Sequence, residues 1–146
     1  MQRIGDSKNN KFPVAVLLVI FSHERGIESK VGVLKDIEGK LRLPEKRLEN
    51  NKNSYEIAKD ILDYYVSLDR LDAFNINLCA SLDGPNKYPG DYMQNVSLIF
   101  KLDISSNIDV NSSIVWLNPT EAAKEISDGH FAKDHGQAIQ MAISYG

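Results

Sequence analysis

The longest apolar run of the chain, PVAVLLVIF, spans Pro13–Phe21 and contains no polar residue. Such a run predicts a strand buried on both faces, as found at the centre of a sheet that helices cover. The run is too short to cross a bilayer, and it lacks the basic flank and small-residue cleavage site of a secretion signal. We therefore expect a first strand at Val14–Ser22 and a soluble cytoplasmic protein with no membrane partner.

Shorter segments rich in β-branched and apolar residues predict further strands, each bounded by turn residues. Between two of them lies DGPNKYPGD, Asp83–Asp91, whose two prolines and two glycines in nine residues predict a loop. The further strands are expected at Lys30–Asp36, Leu41–Pro44 (a short extended piece), Ala73–Leu82, Val96–Asp103 and Ile114–Asn118.

The segment NSYEIAKDILDYYV predicts a helix over Ser54–Val66. Asn53 with Glu56 three residues later is the pattern of a capping box, which satisfies free backbone N–H groups at a helix start. Apolar residues recur at helical spacing and predict one buried stripe. The stripe comprises Ile57, Ala58, Ile61, Leu62 and Tyr65.

Two more helices are expected near the end of the chain, one starting at Pro119 and one over Ala132–Ser144. Strands and helices alternate irregularly, which places the protein in the α/β (α+β) class with helices packed on a mixed β-sheet. The 146 residues fit one domain, 13–146, after a flexible N-terminal segment, 1–12.

The charge and cysteine content limit the classes of function that we expect for this chain. A formal net charge of −3 and scattered basic residues do not form an electrostatic footprint for nucleic acid. The single cysteine, Cys79, cannot form an internal disulfide, which indicates a reducing compartment. It lies in the apolar run INLCASL, and we interpret it as a core residue.

The segment around the predicted capped helix resembles the Nudix hydrolases. Their signature, G-x5-E-x7-R-E-U-x-E-E-x-G-U with U aliphatic, follows a segment like G-K-W-A-L-P. This chain has GKLRLP at Gly39–Pro44 and NSYEIA at Asn53–Ala58, and both ends give the same register. Leu62 and Leu68 fall on the two U positions. The resemblance implies an α/β/α sandwich with a mixed sheet.

Two later segments extend the resemblance over most of the chain. LDGPNKYPGDYMQNVSLIF and VWLNPTEAAKEISDGHFAKDHGQAI are similar to patterns of one branch. That branch includes ADP-ribose pyrophosphatases and regulators of NAD metabolism, and Asp134 and His135 stand on its D-H pair. The regulators carry a DNA-binding winged helix after this domain. This chain ends soon after its predicted last helix, so we expect either that the winged-helix domain is absent or that the chain is a fragment.

The chain departs from the signature at every chemical position. Its two glycines, its first glutamate, its arginine and its remaining three glutamates are all replaced. In order, the replacements are Lys46, Ser67, Lys52, Asp60, Ile61, Tyr64 and Tyr65.

These departures remove the carboxylates that the resemblance assigns to magnesium or manganese. Both ions prefer hard oxygen ligands, and neutral phenols are poor substitutes because tyrosine ionises only near pH 10. Glu56, Asp60 and Asp63 share another face of the predicted helix and could form a relocated metal site. We interpret this acidic row as a solvated surface. No metal and no other cofactor is therefore predicted.

Several polar residues near the predicted cleft are candidates for ligand binding. Arg42 and Arg47 flank the motif loop and could contact an anion, and Glu49 matches an acidic residue that often precedes the motif's first glutamate. Asn86 and Tyr88 lie on the long loop, where they could meet a phosphate or stack on a base. The alternative interpretation is that all of these residues lie on the solvated surface and bind no ligand.

The histidines give a weaker signal. His23, His130 and His135 lack metal-ligand spacing, and Asp134–His135 is interpreted as a helix cap followed by a packing or hydrogen-bonding histidine.

Three functional hypotheses follow. The first is a non-hydrolytic domain that binds or senses a nucleoside-diphosphate derivative, with ADP-ribose or an NAD-related compound implied by the resemblance. The second is a divergent hydrolase of such compounds, which would need magnesium. The third is a protein-interaction domain without a small-molecule ligand. All three allow a homodimer and exclude direct nucleic-acid binding by this domain.

Overall fold

The computed structural model of the chain describes residues 11–66, 76–85 and 94–145. Within these ranges the chain forms seven strands and three helices. The strands are β1 (Lys11–Glu24), β2 (Ile27–Lys35), β3 (Leu41–Arg42), β4 (Glu45–Glu49), β5 (Ile76–Pro85), β6 (Gln94–Ser105) and β7 (Val115–Leu117). The helices are α1 (Ser54–Tyr65), α2 (Pro119–Ser127) and α3 (His135–Ser144).

The apolar strand β1 lies at the centre of one mixed sheet. It runs parallel to β6 on one side, and on the other it pairs antiparallel with β4 and then β2. The sheet order is β3–β2–β1–β6–β5, with β7 beside β2. The predicted mixed sheet is confirmed.

Alternate residues of β1 belong to two separate hydrophobic cores, because successive side chains of a strand point to opposite faces of the sheet. Val16, Leu18 and Ile20 pack with the apolar stripe of α1. Leu17 and Val19 pack in the core that contains the buried residues of α2 and α3. The sheet is therefore covered by helices on both sides, which confirms the predicted α/β/α sandwich.

The predicted capping box of α1 is present. The Asn53 side chain accepts from the Glu56 backbone N–H at 2.8 Å, and the Glu56 carboxylate accepts from the Asn53 N–H at 3.0 Å. Four of the five stripe residues are buried, while Tyr65 is half-buried. Helix α2 begins at Pro119, as predicted, with a second capping box formed by Asn118 and Glu121.

Two boundaries predicted from the sequence were wrong. Residues 45–49 follow the expected strand at Leu41–Pro44 and belong to no predicted strand, but they form β4, because pairing with β1 overrides the weak strand preference of EKRLE. The last helix was expected from Ala132 and begins at His135, since Lys133 adopts the left-handed backbone region, with φ of 51°, and interrupts any helix there.

The predicted loop was also placed too early, because β5 continues through Pro85 and pairs with β6. Asn86 and Tyr88 lie outside the described residues. Cys79 is half-buried against the α3-side core, and its thiol donates to the Ile99 carbonyl at 3.3 Å. Burial raises the pKa of this thiol. Among the described residues, none of the helices combines the length and apolar character needed to cross a bilayer.

Candidate functional site

The three motif positions that carry glutamates in the Nudix signature lie at different depths on α1. Ile61 is only 4% exposed and belongs to the α1-side core. Tyr64 is 70% exposed, and Tyr65 is half-buried with its ring edge-on to Tyr64 at a centroid distance of 4.7 Å. Burial, followed by the neighbouring Tyr64, raises the pKa of Tyr65, so this phenol stays neutral and offers no anionic ligand at neutral pH.

Three altered motif positions, Lys46, Lys52 and Asp60, form with Glu49 what we call the Asp60 network. The Lys52 ammonium lies 2.5 Å from the Asp60 carboxylate, and the Lys46 ammonium lies 3.6 Å from the same oxygen. Lys46 also lies 3.6 Å from Glu49. Lys46 reaches α1 because it points to the same face of β4 as Leu48, which packs in the α1-side core.

The charges of this network stabilise each other. The hydrogen bond from Lys52 is the main cause that lowers the pKa of Asp60, with a smaller contribution from Lys46. The hydrogen bond to Asp60 in turn raises the pKa of Lys52. Asp60 is therefore ionised at neutral pH and engaged by two ammonium groups.

The acidic row proposed as a relocated metal site does not converge on one point. The Glu56 carboxylate caps the helix start, the Asp60 carboxylate contacts two lysines, and Asp63 is exposed. Across the described parts of the chain, no group of three or more His, Cys, Asp or Glu side chains is arranged to hold a metal ion.

On the other face of β4 lies a group that we call the Glu45 cluster: Glu45, Arg42, Lys133 and His135. The Glu45 side chain is only 11% exposed, and the Arg42 guanidinium donates to it at 2.9 Å. The Lys133 ammonium lies 3.5 Å from the same oxygen, and His135 Nε2 lies 3.8 Å from it. One nearly buried carboxylate thus faces three nitrogen-bearing side chains.

His135 is fully buried and its protonation is fixed by the backbone. Its Nδ1 accepts a hydrogen bond from the Leu43 N–H at 2.9 Å. A backbone N–H can only donate, so Nδ1 carries no proton and the neutral ring carries its proton on Nε2, on the side of Glu45. The interpretation of His135 as a hydrogen-bonding histidine is confirmed, whereas Asp134 precedes α3 without a side-chain capping bond.

The predicted ligand-binding residues are divided between these clusters. Arg42 joins the Glu45 cluster, and it lies close enough to Tyr65 to act on the pKa of that phenol. Glu49 belongs to the Asp60 network. Arg47 is half-buried on β4, and strand alternation places it on the face of Glu45 rather than that of Lys46.

Sequence reasoning missed Glu45 and Lys133. Alternation within EKRLE would have separated Glu45 from Lys46 had that segment been interpreted as a strand. Lys133 lies 88 residues further along the chain, and no local pattern connects it with Glu45.

None of the protein-family models matches this chain. None of the curated proteins matches it significantly. Solved structures do match. The NUDIX domain of Shewanella oneidensis NrtR in complex with ADP ribose aligns over 97% of this chain and 92% of its own, with a TM-score of 0.67 and 14% identity.

Two further structures have similar agreement. The Escherichia coli dihydroneopterin triphosphate pyrophosphohydrolase aligns over 91% of this chain and 97% of its own, with a TM-score of 0.65 and 16% identity. A mutT/nudix family protein from Listeria innocua aligns over 90% and 91%, with a TM-score of 0.67 and 18% identity. At such identities the agreement concerns the fold.

Proposed function

We propose that this chain, which has the Nudix fold, binds a nucleoside-diphosphate derivative without hydrolysing it. The observation that carries the proposal is the pair of ammonium groups around Asp60. Lys46 and Lys52 occupy motif positions beside the helix that carries the metal-binding glutamates in the Nudix signature, and both contact the same carboxylate. In this proposal the two lysine ammonium groups supply the positive charge that a bound metal ion supplies in metal-dependent phosphate chemistry.

The charge balance of the Glu45 cluster supports an anionic ligand close to β4. A diphosphate needs counter-charge, which bound metal ions supply in metal-dependent phosphate chemistry. The Asp60 network holds two basic side chains against two carboxylates, and the Glu45 cluster, on the other face of β4, holds two basic side chains against one carboxylate, with His135 neutral. The basic groups are Arg42, Lys46, Lys52 and Lys133.

The same residues argue against catalysis. Hydrolysis of a diphosphate through bound magnesium requires several oxygen ligands that activate water and stabilise developing charge. Ile61 is in the core, and the Tyr65 phenol is neutral at physiological pH. The ligand class, ADP-ribose or an NAD-related compound, is proposed from the similarity to the NrtR domain that was crystallised with ADP ribose.

The direct test is a thermal-shift series with ADP-ribose, NAD, ADP and inorganic phosphate, each with magnesium and with EDTA. A ligand at 100 times its Kd stabilises the folded state by about 2.7 kcal/mol. We expect stabilisation by at least one diphosphate compound in EDTA and no cleavage of it by chromatography. Magnesium-dependent cleavage would overturn the proposal and favour the divergent hydrolase.

Matched variants locate the binding site. Lys52→Gln removes one charge from the Asp60 network and Arg42→Gln removes one from the Glu45 cluster, so the variant on the ligand's face of β4 should weaken binding. Lys124→Gln removes an exposed charge from α2 and should not. If all three variants bind like the parent, the ligand lies elsewhere.

A protein-interaction domain remains the second candidate because two tyrosines on α1 are exposed. Tyr55 is 45% and Tyr64 is 70% exposed, and aromatic side chains often anchor interfaces. A ligand series with no stabilisation by any compound would favour this candidate.

A further inference from the structure

Three side chains on the α3 side of the sheet form a continuous hydrogen-bonded chain. The Ser29 hydroxyl lies 2.6 Å from His23 Nδ1, and His23 Nε2 lies 2.6 Å from an Asp103 carboxylate oxygen. The three residues belong to β2, β1 and β6, which are adjacent strands of the sheet. Their order is nucleophile, base and carboxylate, as in a Ser–His–Asp triad, but the ring nitrogens are exchanged: Nδ1 faces the serine and Nε2 faces the carboxylate.

This group lies across the sheet from α1. Ile99 is in the α3-side core, and Lys101 lies over the ring of Phe21 from that core, so strand alternation places Asp103 on the same face. Helix α1 covers the opposite face. The serine group thus lies across the sheet from the Asp60 network.

The hydrogen bonds assign a role to each atom. A carboxylate only accepts, so the contact with Asp103 places the imidazole proton on Nε2. In the neutral ring Nδ1 then carries no proton and accepts the Ser29 O–H. Asp103 holds the ring in the tautomer in which its free nitrogen faces a hydroxyl, as a general base requires.

We propose that Ser29 is a nucleophile activated by His23 and that it accepts acyl groups from activated carboxylic esters. Ser29 Oγ attacks the carbonyl carbon while its proton moves to His23 Nδ1. The alcohol leaves with that proton, and an acyl ester remains on Ser29. Water then attacks the acyl carbon, His23 takes and returns its proton, and the acid leaves.

Exposure determines the expected substrates. The His23 and Asp103 side chains are 48% and 47% exposed, so small esters can approach from solvent but are not enclosed. General-base assistance alone accelerates a reaction by roughly 10²–10⁴-fold. We therefore expect reaction with esters that have good leaving groups, such as p-nitrophenyl acetate.

The test combines labelling with kinetics. The folded chain is treated with a fluorophosphonate probe and, separately, with p-nitrophenyl acetate, and modified peptides are identified by mass spectrometry. We expect the adduct on Ser29 in preference to other serines. Ser29→Ala and His23→Gln should each lower ester hydrolysis at least tenfold, whereas Ser81→Ala, at an exposed serine of β5, should not change it.

Asp103 acts through His23 and is a positioning residue. Asp103→Asn should slow labelling of Ser29 because the imidazole loses its carboxylate partner, whereas Asp103→Glu, which keeps a carboxylate, should recover much of the rate. Melting temperatures establish that each variant is folded. The proposal is wrong if Ser29→Ala hydrolyses the ester as fast as the parent, or if labelling does not favour Ser29 in the folded parent.

Discussion

The Lys52 ammonium and the Asp60 carboxylate form an ion pair at 2.5 Å, with signs exchanged relative to the Nudix signature. The signature has glutamate at the first position and arginine at the second. Here the opposite charges are kept and their places are reversed. The pair links the segment before α1 to the middle of that helix.

Exchanging the two charges back should preserve stability, while changing either one alone should not. Lys52→Glu places a carboxylate beside Asp60, and Asp60→Arg places a guanidinium beside Lys46 and Lys52, so each single variant should melt at a lower temperature. The double variant should recover most of the loss. If the decrease in melting temperature of the double variant equals the sum of the two single decreases, the two side chains do not interact.

The same cycle on an exposed helix pair provides the control. The ammonium of Lys124 on α2 lies 2.9 Å from the carboxylate of Asp128, directly after that helix, and the Lys124 side chain is 73% exposed. Lys124→Glu, Asp128→Arg and their combination should show a weaker coupling, because solvent screens an isolated surface pair.

Two glutamate substitutions on α1 should separate buried from exposed motif positions. Ile61→Glu removes apolar burial worth about 1.5–3 kcal/mol and places a charge in the core, so unfolding in urea should occur at much lower concentration. Tyr64→Glu, at a 70% exposed position, should change the free energy of unfolding by about 0.5 kcal/mol or less. Similar costs for both would contradict the observed depth of Ile61.

Removing the His135 ring should destabilise the fold through the backbone of β3 and the residues after it. His135→Ala leaves the Leu43 N–H without its acceptor, at a cost of about 1–3 kcal/mol, and also opens a cavity. Urea denaturation measures the loss, and faster hydrogen exchange of the Leu43 amide locates it. His130→Ala, at a histidine whose side chain is 55% exposed, is the control and should cost much less.

The stability contributed by the Asp60 network should depend on pH in a defined direction. The pKa of Asp60 is lowered by folding, so its contribution is present above the unfolded value, about 3.9, and is lost as pH falls through the folded value. The pKa of Lys52 is raised, so its contribution holds below about 10.4 and is lost as pH rises through the folded value.

The measurement is the melting temperature of the parent and of Asp60→Asn between pH 2 and pH 7. The difference between the two proteins should be largest near neutral pH and should shrink as the solution becomes acidic. A difference that stays constant over this range would mean that the ionised carboxylate is not what stabilises the parent.

The features predicted correctly are those that local pattern determines. The run at β1 has no polar side and therefore lies between two helix layers, and Asn53 with Glu56 defines the start of α1. Strand β4 escaped prediction because its residues have little intrinsic strand preference and depend on pairing with β1.

The side-chain clusters could not be predicted for a different reason. Asp103 meets His23 only because β1 and β6 run parallel in one register, and the two residues are 80 positions apart. The same holds for Lys133 and Glu45. Contacts between residues so far apart in the chain are set by tertiary pairing, and a single sequence contains no local pattern that reveals them.

The burial of position 61 has a consequence for the engineering of this fold. A glutamate site of the signature holds an isoleucine that now packs with Ile57 and Leu62 in the core. A carboxylate introduced at this position would cost folding stability, because it would replace an apolar side chain of the core with a charge. Tyr64 is exposed, so new functional groups can be introduced at position 64 without changing the packing of the core.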